Sequence, residues 1–284
     1  MTDLFSIEHI HFAYPGHTPS LVDVSFRVAT GERVALLGAN GSGKSTLLHL
    51  LDGLYFPSTG RILAMGQELT EEAVERPPFA PRFRKEVGFL FQNSDAMLFS
   101  ATVEEELAFA PLQLRWPKEE IRRRIADTLN LLEIAHLRDR APQTLSSGQQ
   151  KRVALAALLV VSPSVLLLDE PTAGLDPRSQ TTLLEILDEL HHAGMTLITA
   201  THDLTLVPHL ADRVLVLGED HRLVADAPTE SVLADLDLLL SVNLIHAHTH
   251  RHGDLTHSHP HQHIVAHEHG HEHTADTASP HLKL

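Results

Sequence analysis

Gly38-Ala39-Asn40-Gly41-Ser42-Gly43-Lys44-Ser45-Thr46 decides how this chain folds. The stretch satisfies the pattern G-x-x-x-x-G-K-[ST]. Apolar Val34-Ala35-Leu36-Leu37 precedes it, and residues 46–54 follow with helical spacing that ends near Gly53. A strand, a glycine-rich turn and a helix in that order aim several backbone N–H groups at one point. The helix N-terminus adds about half a positive charge there. Such a turn cradles phosphate oxygens; Lys44 reaches the outer phosphates and Ser45 can ligate Mg²⁺. Gly38, Asn40, Gly41, Ser42, Gly43, Lys44, Ser45 and Thr46 are the candidate phosphate-binding residues.

Further along, Leu166-Leu167-Leu168-Asp169-Glu170 delivers two acids at the carboxyl end of an apolar strand. Ligands bind at that end in open α/β sheets. Asp169 can hold Mg²⁺ through water, and Glu170 can orient and deprotonate an attacking water. Residues 87–91, 196–200 and 213–217 read as further short buried strands. Residues 7–14 and 21–28 alternate apolar and polar around Pro15-Gly16, as paired strands do. Residues 103–161 look helical, opened by a capping box of Thr102 and Glu105, and residues 181–190 form an amphipathic helix. Strands alternating with helices predict a layered α/β core interrupted by a helical insertion. Residues 71–84 hold three prolines and read as a surface excursion. Thr229, after Pro228, reads as the cap of a short helix. The core-forming pattern stops near Asn243.

Composition narrows the function classes. The chain has 284 residues, no cysteine and a net charge of −15 with His neutral. Cysteine-ligated clusters and disulfides are excluded. Non-specific binding to a phosphate backbone is not expected of so acidic a chain. The longest apolar run, residues 153–161, is about half of the ~20 residues a bilayer-spanning helix needs. The opening MTDLFSIEHI lacks the basic and apolar regions of a signal peptide.

The motifs together resemble those of ABC transporter ATPase subunits. Tyr14, the cradle, Gln92, Leu145-Ser146-Ser147-Gly148-Gln149, Leu168-Asp169-Glu170, Gly174-Leu175-Asp176 and Thr201-His202-Asp203 occur in that family's order across residues 4–235. The resemblance implies an α/β fold: a P-loop NTPase (RecA-like) core with an antiparallel β subdomain and an inserted helical subdomain at about 93–161. It implies that Tyr14 stacks on the adenine of ATP. Gln92 would sense Mg²⁺ and the attacking water, and His202 would contact the γ-phosphate. Ser146, Ser147, Gly148 and Gln149 would face ATP bound by a second ATPase subunit, the same chain or a homologue, with Asp176 coupling the two sites. Ser147 stands where the family usually has glycine. Residues 1–243 would form this nucleotide-binding domain.

A narrower resemblance lies in residues 91–99 and 102–109, which are similar to energy-coupling-factor ATPases, particularly those of cobalt and nickel importers. It implies transmembrane coupling and substrate-binding subunits as partners and a place at the cytoplasmic face of the membrane, with Met97, Leu98 and Phe99 exposed toward the partner. Residues 244–284 are a separate His-rich tail. His246, His248, His250, His252, His257, His259, His261, His263, His267, His269, His271 and His273 recur at alternate positions in three blocks. Alternate residues of an extended chain share a side, and imidazole suits Ni²⁺, Co²⁺, Cu²⁺ and Zn²⁺. The tail lacks the apolar content to pack and is expected to be disordered without metal. The sequence admits two other readings: a non-transport ABC ATPase, and a metal store acting through the tail.

Overall fold

The structure, a computed structural model, describes the backbone of residues 3–252 and 255–262, and side chains from residue 3 to residue 245. β1 (Asp3–Ala13) and β2 (Pro19–Ala29) form the hairpin expected from their alternation. β3 (Arg33–Leu37) runs through the cradle into α1 (Lys44–Leu51). β4 (Thr59–Ala64) and β5 (Gln67–Glu68) complete an antiparallel sheet in the order β2-β1-β4-β5. α2 (Glu71–Glu75) and α3 (Phe79–Glu86) lead into β6 (Val87–Leu90). Then come α4 (Val103–Gln113), α5 (Lys118–Leu131) and α6 (Ser147–Leu159). The chain returns through β7 (Val165–Asp169), α7 (Pro177–His192), β8 (Thr196–Thr201), α8 (Val207–Leu210) and β9 (Arg213–Leu217). β10 (Leu223–Pro228), α9 (Thr229–Ala234) and α10 (Leu236–Ser241) close the body. β11 (Ile245–His252) and β12 (Leu255–Gln262) pair beyond it.

The second sheet has the order β10-β9-β3-β8-β7-β6, parallel except for β10. β3, β7 and β8 are buried along almost their whole length, which explains their continuous apolar runs. Each fully buried leucine or valine there contributes about 1.5–3 kcal/mol. The register aligns Leu37 with Thr201 and Asp169 with Ala200. Three adjacent strands therefore end along one edge of the sheet, and the cradle, the acids and His202 all follow those ends.

The helical insertion builds its own core. Val103, Leu107, Ile121, Ile125, Leu129 and Val153 belong to one cluster that also takes the far face of β7. Among the described residues, no helix is long and apolar enough to cross a membrane.

Several local expectations are corrected. Residues 71–84 are largely helical, and Phe79, Ala80 and Phe83 of α3 are buried against the main core. Pro77 and Pro78 lie before α3 and Pro81 within its first turn, where a missing N–H costs nothing. Thr102 accepts the Glu105 N–H, which is half of the expected box; the full reciprocal box is at Ser146 and Gln149. Thr229 is the first helical residue of α9, and its hydroxyl donates to the Ala211 carbonyl instead of capping. Beyond the body the backbone of β11 and β12 is paired; the side chains of residues 246–262, and residues 253–254 and 263–284 with His263, His267, His269, His271 and His273, lie outside the described residues.

Candidate functional site

The cradle depends on glycine at two crowded points. Gly43 has φ +108, and a Cβ there would lie 2.4 Å from the Ser20 carbonyl oxygen. At Gly38 it would lie 2.6 Å from the Leu217 carbonyl oxygen. Lys44 is buried and donates to the carbonyls of Gly38 (2.8 Å) and Ala39 (3.0 Å), so its ammonium lies across the turn. Burial pushes the Lys44 ammonium below the usual lysine range, opposed by the charges of Glu170 and Asp169. The Ser42 hydroxyl oxygen is buried without a hydrogen-bond partner among the described residues. A buried polar atom of this kind asks for a partner from outside the chain. Gly41, at φ +84, faces open space, and Asn40 is exposed beside it.

The acids close the other side. Ser45 Oγ donates to Asp169 Oδ1 at 3.1 Å, joining the start of α1 to the end of β7. Burial raises the Asp169 carboxyl above its ordinary range; the Ser45 hydrogen bond opposes this and the neighbouring Glu170 charge adds to it. Glu170 is buried and held at φ +45, a conformation that costs a non-glycine residue of order 1–3 kcal/mol. Three contacts hold it: its N–H donates to the Ala200 carbonyl (3.0 Å), Oε1 lies 2.6 Å from His202 Nδ1, and Oε2 accepts from the Thr201 hydroxyl (3.3 Å). Two hard oxygens 3.1 Å apart, a free hydroxyl and a lysine across a glycine turn fit a phosphate chain carrying a Mg²⁺ ion.

Tyr14 lies beside this edge. Its hydroxyl is 3.3 Å from that of Thr46, and its ring meets Phe12 and Tyr55 edge-on. Gln92 follows β6 with its side chain exposed. Ser146 and Gln149 bond each other at the N-terminus of α6, Ser147 is exposed, and Gly148 packs against Ser179 of α7, where a Cβ would meet the Ser179 hydroxyl at 2.8 Å. Asp176 caps α7 by accepting from the Ser179 N–H and hydroxyl, which hold its carboxyl below the usual range. The cradle, Asp169, Glu170 and His202 thus share one edge of the sheet, while Ser146 to Gln149 and Asp176 sit at two adjoining helix N-termini.

Lys151 went unnoticed in the sequence. It is 4% exposed, and its ammonium approaches the carbonyls of Gln92 (3.5 Å), Glu170 (3.5 Å) and Ala173 (3.4 Å). One buried charge therefore ties α6 to the loops that carry Gln92 and Glu170. A Lys151-Arg152 pair directly before the apolar run of residues 153–161 was the available signal. Leu98, expected to be exposed, is buried in the helical core; Met97 is half-buried and Phe99 is 62% exposed. Phe99 stacks edge-on with exposed Phe109, and Leu112 is exposed on the same helix.

This arrangement defines a P-loop nucleotide-binding protein with a paired-acid edge. The ABC transporter family model matches residues 21–173, and the chain belongs to that family. It is 51% identical over 87% of its length to a protein of Methanosarcina acetivorans that bears only the general name of an ABC transporter ATP-binding protein, covering 91% of it. It is 48% identical over 86% of its length to the nickel import ATP-binding protein NikO of Rhodobacter capsulatus, covering 97% of that chain. Its fold matches the structure of cbiO1 from Clostridium perfringens, part of the ABC transporter complex cbiONQ, with a TM-score of 0.74 and 36% identity, covering 86% of this chain and 96% of that one. Energy-coupling factor ATP-binding proteins also stand among its relatives. The chain is accordingly an ATP-binding subunit of the energy-coupling-factor kind, a class that works with ATP and Mg²⁺ alongside transmembrane partners.

Proposed function

We propose that this chain hydrolyses ATP to power an importer of a transition-metal cation, nickel or cobalt, at the cytoplasmic face of the membrane. The observation that carries the hydrolytic reading is the buried Glu170 carboxylate. His202 and Thr201 grip it beside the cradle, with Asp169 and Ser45 adjoining. The likeness to a nickel import subunit and to a cbiONQ component supports the cargo.

The backbone N–H groups from Gly38 to Thr46 would bind the phosphate chain, and Lys44 would turn its ammonium from the Gly38 and Ala39 carbonyls to the outer phosphates. Ser45, Asp169 and Gln92 would hold Mg²⁺, which neutralises charge on the phosphates. Glu170 would accept the proton of the attacking water, and His202 would keep that carboxylate aimed and touch the γ-phosphate. Tyr14 would stack on adenine. The signature residues Ser146 to Gln149 and Asp176 would meet ATP held by a second subunit, in a homodimer or heterodimer. Exposed Phe99, Phe109 and Leu112 suit contact with a membrane-embedded partner. Residues 1–243 would act as the nucleotide-binding domain, with residues 93–161 carrying that contact, and residues 244–284 as a metal-binding tail for Ni²⁺ or Co²⁺.

The test is to isolate the complex in detergent, identify its membrane proteins, reconstitute it and measure ATP-driven uptake of Ni²⁺ and Co²⁺. Uptake of one of them that stops with Glu170→Gln supports the reading. ATP hydrolysis without uptake of either cation overturns the cargo.

A further inference from the structure

The pairing of β11 with β12 sets His246 opposite His261, His248 opposite His259 and His250 opposite His257. Alternate residues of a strand share a face, and so do directly opposed residues of an antiparallel pair. Six histidines therefore pair in three rungs on one face of the ribbon, and His252, opposite Leu255, is a seventh histidine position on that face. Ala247, Thr249 and Arg251 occupy the other face with Pro260, Ser258 and Thr256. Pro260 has no N–H to give, so it fits only where the backbone polar groups face away from the partner strand. In an antiparallel pair such positions alternate with hydrogen-bonded ones. Every histidine rung then falls on a hydrogen-bonded pair, with opposed Cα atoms about 5.5 Å apart and rungs about 7 Å apart along the strand.

An isolated two-stranded ribbon is marginally stable in water, and this one has no apolar face to bury. Its base is anchored, because Leu244 and Ile245 are buried in the core cluster that includes Val214 and Val216. Its far end needs another source of cohesion.

We propose that β11 and β12 form a cross-strand histidine ladder that takes a first-row divalent transition cation between the strands, using both members of neighbouring rungs. The proposal rests on the reading of the tail as metal-binding and gives that reading a location and a geometry. Cation binding and strand pairing are then one equilibrium: each cation bound stabilises the ribbon, and the anchored ribbon sets histidine positions of two strands opposite one another. Residues beyond 262 are not needed for the strong site.

The experiment uses the full-length chain without an added affinity tag, titrated with Ni²⁺ by calorimetry. Two variants each lose three histidines: H257Q/H259Q/H261Q removes one side of every rung, and H267Q/H269Q/H271Q removes as many outside the ladder. The first is expected to weaken the tightest site by roughly 10²-fold, the loss that follows when a second set of linked ligands is taken away. The second is expected to stay within about twofold of the parent. Equal weakening of both overturns the ladder and leaves a tail that binds by composition. Absence of binding in the parent overturns the tail reading itself. ATP affinity, measured on each protein, reports that the body is folded in every case.

Discussion

Replacing Lys151 by methionine tests whether one buried charge positions the reacting groups. Methionine nearly matches the stem in volume and removes the ammonium. The carbonyls of Gln92, Glu170 and Ala173 then lose their donor. A well-made hydrogen bond to a charged group contributes about 1.5–3 kcal/mol. At 3.4–3.5 Å these three are long, so about 0.7 kcal/mol each, or about 2 kcal/mol together, is the scale. Against that stands the cost of burying the ammonium, which already pushes its pKa below the usual lysine range. The two nearly cancel in the stability of the fold, leaving a change of about 1 kcal/mol or less. They do not cancel at the site, where the Gln92 and Glu170 loops lose their common tie. About 2 kcal/mol of lost positioning corresponds to roughly 30-fold in kcat. KM for ATP should hold, because the cradle is untouched, and Lys151→Arg should restore part of the rate. The assay is phosphate release at saturating ATP in the assembled complex, with thermal unfolding followed in parallel. Wild-type kcat in a folded Lys151→Met protein, or a raised KM at unchanged kcat, would refute the reasoning.

Three further outcomes are expected. Glu170→Gln should keep ATP binding and lower turnover by roughly 10²–10⁴-fold; wild-type turnover removes Glu170 from its role. Gly43→Ala should weaken ATP affinity at least about tenfold, since a Cβ at φ +108 meets the Ser20 backbone, whereas Gly41→Ala at φ +84 meets open space and should cost less; equal effects in a nucleotide titration would count against the crowding argument. Burial pushes the Asp52 carboxyl up to about 7, with Arg84 pulling the other way. The unfolded chain releases that proton near ~4, so this group's contribution falls as pH rises from about 4 through about 7. Asp52→Asn should flatten that part of the urea-stability profile, and an unchanged slope would sink the assignment.

Most of the sheet and the whole phosphate edge were legible because their signals are local. The run Val34 to Leu37 and the three leucines before Asp169 are buried on both faces, so their apolar continuity reads directly. Phe79 and Phe83 were masked by three prolines, although prolines ahead of a helix and in its first turn are compatible with packing. Leu98 and Phe99 are adjacent and equally apolar; only the fold decides that one enters the core and the other faces out. Lys151 acquires its meaning from three carbonyls distant in sequence. The pairing of β11 with β12 escaped because histidine at alternate places carries no apolar contrast from which to read a strand.

Glu106 is buried, and its carboxylate accepts the backbone N–H groups of Phe99 (2.9 Å) and Ser100 (2.8 Å). The start of α4 is tied in turn to the segment before the signature loop, through Val103 to the Arg140 carbonyl and Glu104 to the Arg138 carbonyl. Phe99 is thus presented on a stiff mount whose ordering is settled during folding and not on docking. A shift of the helical layer reaches the aromatic knob as a push, with little slack in the loop to absorb it.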